Sequence, residues 1–331
     1  MDDLSFYNDT DTIHQLQLFT YYFNLVGCVL YTLIAIVGII ANGIVLVMVG
    51  KHKQLRTAMN YFITNLAAAD LIILVVLVVP RDINFLTSWN IFRIQGSLIA
   101  ILYIQHVCIQ ATALILAIMS ISRYTMVVLP LKAKAEWTVH RVWFCCGASW
   151  FVSALLYIPL FFGVLSVHEG GYEPTIIPIT TKVFASLKMV FIFLLPFSVI
   201  VFCYTRIIIT FRRGRYNLQK KHSANIDTDA SDDQTRRLAR MVLIIILVFL
   251  LSWAPMQSLQ TWLFVREHTL PASPAQWRLI EVLSFLFRLL IYAGSSINPF
   301  IYAYTNPSFK KLNMFRVRKS ADSVATQSSQ L

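Results

Sequence analysis

The sequence predicts an all-α membrane protein, a seven-transmembrane helix bundle with a short amphipathic eighth helix. Three observations carry this. The chain has 331 residues, of which 57% are hydrophobic and only 13% charged, whereas a soluble domain carries about 25% charged residues. Its apolar residues gather into seven stretches, each at or above the roughly 20 residues that a bilayer crossing needs. The basic residues fall mainly in alternate connections between those stretches, the asymmetry that orients a multi-pass chain.

Residues 1–21 hold Asp2, Asp3, Asp9 and Asp11 and no lysine or arginine. They read as an extracellular tail and not as a cleavable signal, which needs a basic start and an early apolar core. The bundle is expected over 22–304. Its first span, 22–50, contains Ala41-Asn42-Gly43 and stops at a loop with Lys51, Lys53 and Arg56. The second, 58–86, reads Asn65-Leu66-Ala67-Ala68-Ala69-Asp70-Leu71 at its centre. The third, 97–127, ends Ser122-Arg123-Tyr124, and a loop with Pro130, Lys132, Lys134 and Arg141 follows. The fourth, 139–163, holds Trp150 and leads to an outer loop, 164–182, with Gly170, Gly171, Pro174 and Pro178. The fifth, 183–211, holds Pro196 and Tyr204. The connection 212–236 has a polar stretch at 223–230 whose composition reads as mobile. The sixth span, 237–265, holds Phe249 and Ser252-Trp253-Ala254-Pro255, and the seventh, 279–304, holds Asn298-Pro299-Phe300-Ile301-Tyr302. Residues 305–319 interleave Phe309, Leu312, Met314 and Phe315 with Lys310 and Lys311, which suits a helix lying on the membrane face. Residues 320–331 are rich in Ser and Thr and are expected to form a disordered cytoplasmic tail.

One set of connections carries 19 lysines and arginines and the alternate set 5, so the basic side is expected in the cytoplasm and the N-terminus outside. The sequon Asn8-Asp9-Thr10 agrees, as a glycosylation acceptor on the outer side. The net charge of +12 is accounted for by these membrane-flanking clusters, and a nucleic-acid partner adds nothing to that account. Cys28, Cys108, Cys145, Cys146 and Cys203 all fall in apolar spans, so they read as buried apolar side chains and no extracellular disulfide is expected.

Pro299 removes a backbone donor inside the last span and kinks it. Lipid tolerates this only where neighbours satisfy the freed carbonyl. Asn298 is one candidate for that partner, and Tyr302, about a turn on, sits where the helix meets the cytoplasm. The pattern is that of a hinge with a polar latch.

In their order and spacing, these residues make the chain resemble the rhodopsin-like (class A) family of G-protein-coupled receptors along nearly its whole length. The resemblance implies a receptor that binds an extracellular ligand and activates a heterotrimeric G protein, with arrestin and membrane lipid as further partners. It implies a switch made of Arg123, Tyr204, Phe249, Trp253, Pro255, Asn298, Pro299 and Tyr302. It places Asp70 beside Thr112, Ser295 and Asn298, where family members often hold a sodium ion; no other cofactor or metal is expected. The alternative for Asp70 is a carboxylate satisfied by hydroxyls and water. The acidic neighbour usual beside Arg123 is replaced by Ser122, and an acid usual on the sixth helix by Thr235, although Asp232 or Asp233 could substitute. Ala113 stands where a branched residue is common, which predicts a loose contact with Phe249.

Ligand contacts are expected from Gln105 and His106 on the third helix, Lys188 on the fifth, Gln257 and Gln260 on the sixth, and Arg288 and Tyr292 on the seventh. Lys188 and Arg288 point either to an anionic ligand group or to internal pairing with Glu281, Asp82 or Glu173. Gln105 stands where amine receptors carry an aspartate and Tyr292 where opsins carry the retinal lysine, so a monoamine and a photoreceptor are both disfavoured. The reading is a receptor for a neuropeptide or peptide hormone. The alternatives are a receptor for a small anionic or lipid ligand, and a seven-helix transporter, whose charged relay is missing. Nothing in the chain resembles an enzyme's nucleophile–base set.

Overall fold

The computed structural model describes residues 10–87, 97–129, 133, 135–158, 189–220, 226–265, 274–306 and 308–309. Seven helices carry these residues: α1 (Thr10–Lys51), α2 (Ala58–Leu86), α3 (Ser97–Val128), α4 (Val139–Tyr157), α5 (Leu195–Lys220), α6 (Ile226–Val265) and α7 (Pro274–Thr305). Each contains a segment long and apolar enough to cross a bilayer. A π turn, Val190–Leu194, leads into α5. Among the described residues there is no strand.

Local chemistry fixes several ends. The Thr57 and Thr138 hydroxyls accept from the backbone N–H groups of Asn60 and Arg141, capping α2 and α4. The expected spans match α2 and α3 closely, but α1, α6 and α7 start before theirs and α5 runs on past 211 to Lys220. The 42 residues of α1 span about 63 Å, twice the hydrocarbon thickness. Its outer turns are held by aromatic packing, with Phe23 5.0 Å from Phe285 and Tyr21 5.7 Å from Phe85. At the other face α6 starts at Ile226, inside the stretch whose composition predicted a mobile connection. Of the residues expected to form an eighth helix, Ser308 and Phe309 are helical, and 307 and 310–319 lie outside the described residues. The outer loop 164–182 and Lys188 also lie outside them, as does Asn8.

In the packing, α3 is the hub, in contact with α2, α4, α5 and α6, while α7 closes the bundle against α1, α2 and α6. Large apolar side chains such as Leu33, Phe144, Phe151 and Leu251 point outward, as lipid contact demands. Two glycines set close approaches. A methyl group on Gly38 of α1 would collide with Ser296 of α7 and Leu74 of α2, and one on Gly294 of α7 would lie 2.8 Å from Ser252 Cβ of α6. All five cysteines sit on these helices as free thiols.

Candidate functional site

Proline kinks organise the centre. Pro299 cannot donate to the carbonyl of Ser295, four residues before it. Asn42 of α1 does so instead, its Nδ2 donating at 3.1 Å to Ser295 and at 2.9 Å to Gly38. The sequence reading offered Asn298 for this task. Asn298 Nδ2 instead donates to Asp70 Oδ2 at 2.8 Å. The reason is position: the amide of α1 packs against the kink, while Asn298 faces α2. The same device recurs at α5. Pro196 can serve neither an α nor a π hydrogen bond, and Gln110 of α3 donates to the carbonyl of Phe191, five residues earlier, at 3.0 Å. Gln110 was missed by sequence reasoning. The only signal for it is an amide on α3 facing a proline on its neighbour.

Asp70 is buried, and with the half-buried Asn298 it lines a cavity of about 10 Å³, room for about one water-sized sphere, lined also by Thr112, Ser295, Phe249 and Trp253. Thr112 Oγ1 and Asn298 Oδ1 are buried there without a hydrogen-bond partner, and Ser295 faces the carboxylate. One formal negative charge and several oxygen donors suit a small hard cation. All four residues named for this site are thus brought together.

The residues expected to form the switch follow toward the Arg123 end of the bundle. Phe249 packs on Phe193 with ring centroids 6.4 Å apart, and a void of about 10 Å³ lies beside Ala113 and Pro196. Trp253 is 3% exposed, and Pro255 lies inside α6. The Tyr204 hydroxyl donates to the Ala239 carbonyl at 2.9 Å, tying α5 to α6. Arg123 is 3% exposed, donates to Met126 Sδ at 3.3 Å, and forms no ion pair with a carboxylate among the described residues. The side chains of Asp232, Asp233 and Thr235 fall outside those residues. Tyr302 is fully buried and its hydroxyl has no partner. Below it, Asn306 Nδ2 donates to Asn60 Oδ1 at 2.9 Å, and Asn60 Nδ2 donates to the Leu55 carbonyl at 2.8 Å.

In the outer half, the expected ligand contacts separate. Gln105 is buried on α3. The His106 Nδ1–H donates to Leu102 of its own helix at 2.7 Å and the ring packs on Tyr157. Gln257 is fully buried with both amide ends unpartnered, and Gln260 is half-buried a turn above. Arg288 and Tyr292 turn toward α1: Tyr292 packs 5.0 Å from Tyr31, and Arg288 reaches the Tyr31 hydroxyl. Neither Asp82 nor Glu281 is within ion-pair reach of Arg288 in this structure.

Comparison with known proteins agrees with this architecture. The chain is 28% identical over 294 residues to G-protein coupled receptor 54 of Oreochromis niloticus, covering 85% of this chain and 75% of that receptor. It is 26% identical over 317 residues to the human neuropeptide Y receptor type 2, covering 90% and 78%. With the human galanin receptor type 1 it is 27% identical over 308 residues, covering 87% and 80%. Residues 41–302, from the helix that carries Asn42 to the buried Tyr302, match the family described as 7 transmembrane receptor (rhodopsin family), and the chain belongs to that family of G-protein-coupled receptors.

Proposed function

We propose that the chain is a plasma-membrane receptor for a peptide, with its N-terminus outside and the cytoplasmic ends of α3, α5 and α6 facing a heterotrimeric G protein. The observation that carries it is the set of proline kinks satisfied from neighbouring helices, with Asn42 of α1 serving α7 and Gln110 of α3 serving the entry to α5. Such kinks are held by single side-chain hydrogen bonds, so each helix has a second arrangement within a few kcal/mol. A ligand shifts such a bundle only through its differential affinity for the two arrangements. The peptide assignment is supported by the names of the neuropeptide Y and galanin receptors among the relatives, and by Gln105 in place of an amine counter-ion. Arrestin would read the same opened face, and lipid would meet the helix following Thr305.

The Asp70 cluster fits a sodium ion held by Asp70, Thr112, Ser295 and Asn298. Its charge would stabilise the buried carboxylate in the resting arrangement.

The test is guanine-nucleotide exchange on purified G protein, using membranes that carry the receptor and a library of peptides. At least one peptide is expected to accelerate exchange, and Arg123→Ala is expected to abolish the response while the protein still reaches the surface. A response confined to lipids or small acids would overturn the peptide assignment. For orientation, an epitope before Asp2 is expected to stain unpermeabilised cells. Staining only after permeabilisation would invert the topology.

A further inference from the structure

We propose that Arg81 of α2 and Arg288 of α7, gathered around Tyr31 of α1, form a subsite that receives a carboxylate of the ligand in the outer half of the bundle. The proposal deepens the receptor reading and rests on it in one respect: the carboxylate comes from the outer side.

The two arginines stand at one height. Arg81 is eleven residues beyond Asp70 and Arg288 ten before Asn298, so each lies about 15 Å above the buried pair. The guanidinium of Arg81 lies over the Tyr31 ring, 4.4 Å from its centroid, and Arg288 reaches the hydroxyl of that ring. The Tyr31 hydroxyl itself donates to the Phe285 carbonyl at 3.0 Å, which fixes the ring between the two cations.

Among the described residues neither charge is answered. Arg81 donates to the neutral Asn24 Oδ1 at 3.3 Å, and its Nη1 is buried with no partner. The Nε of Arg288 is likewise buried and unpartnered. The nearby acid, Asp82, uses Oδ2 to accept from Thr32 at 2.6 Å, while its Oδ1 is unpartnered. No carboxylate among the described residues is within ion-pair reach of either guanidinium. Among the described residues, two cations and one acid leave a net positive charge between α1, α2 and α7. Cations inside a membrane bundle persist where they pair or act. A carboxylate is the group whose two oxygens match a guanidinium fork. Arg81 and Tyr31 had no place in the ligand set expected from the sequence, because nothing in the sequence places them around Arg288.

The test is thermal unfolding of the purified receptor in nanodiscs of zwitterionic lipid and low-salt buffer. The probes are an N-acetylated apolar dipeptide with a free C-terminal carboxylate and the same dipeptide as its amide. The acid is expected to raise the wild-type midpoint by at least about 2 °C, and the amide to leave it unmoved. Arg81→Gln and Arg288→Gln are expected to lose the shift and Arg81→Lys to keep part of it. Without any probe, Arg288→Gln is expected to melt no lower than wild type, since it removes an unanswered charge. Equal shifts with acid and amide, or no shift in wild type, would overturn the proposal. So would a lower probe-free midpoint for Arg288→Gln, which would make the cation structural. A stabilisation that instead requires phosphatidylglycerol in the disc, and disappears in the glutamine variants, would assign the site to a lipid phosphate and overturn the ligand assignment. None of these readouts involves a G protein, so failure here leaves the receptor reading standing, and failure of every peptide to drive nucleotide exchange leaves the anion result standing.

Discussion

Pro299 has no N–H for the Ser295 carbonyl, and Asn42 provides one from another helix. Replacing Asn42 with leucine leaves that carbonyl buried and unmet, at a cost of about 1–3 kcal/mol. Asn42→Leu is therefore expected to melt below wild type; an unchanged midpoint would mean that water already serves the kink. Asp70 offers a second test at this scale. Exchanging sodium for N-methylglucamine is expected to lower the wild-type midpoint and leave Asp70→Asn indifferent. Equal sensitivity in both proteins would remove the ion from the cavity. Arg123 offers a third. With Ser122 beside it and no ion pair among the described residues, basal nucleotide exchange is expected to be measurable and to fall in Ser122→Asp. A gain of about 1.4 kcal/mol would lower it about tenfold. If wild type is silent and Asp232→Asn/Asp233→Asn is active, the restraint lies on α6. The sequence displayed the prolines and the acid, since these are local facts. It did not display which side chain answers each proline, because that is settled by helices meeting across 253 and 81 positions of chain.

Whole helices respond to close contacts as well as to hydrogen bonds. α6 and α7 meet at Ser252 and Gly294, where an added Cβ has no space. Gly294→Ala is expected to push the two helices apart, lower the midpoint and change basal exchange, and Ser252→Gly in the same chain is expected to restore much of both. Failure of the second change to rescue the first would show that the contact is not what limits the approach. The span positions were legible because the hydrophobic run of a membrane helix is a long signal that does not depend on its neighbours. The overruns were not. The outer turns of α1 rest on rings from α2 and α7.

For the molecule as a whole, charge and hydropathy were enough to give seven crossings, and the helices bear this out. The central cluster was also legible, because Asp70, Thr112, Ser295 and Asn298 converge. The outer site was less so. It was read as one pocket, but Arg288 and Tyr292 face Tyr31, whereas His106 bonds within its own helix. Residue types predicted a cationic mouth, and only the rotation of α7 decides which neighbours share it.

The Asn42 bond also has a bearing on synthesis. Asn42 leaves the ribosome with the first membrane segment, and the carbonyl it must serve is made 253 residues later. At translation rates of about 5–20 residues per second, the interval is roughly 13–50 s. During that time a polar amide stands in the translocon or the lipid with only the Gly38 carbonyl of its own helix for company. The last segment to arrive is also the one with a broken backbone ladder, so each needs the other before it is at ease in hydrocarbon. A nascent chain halted before the seventh segment is thus expected to remain a chaperone client and to be released from quality control when that segment is supplied in trans.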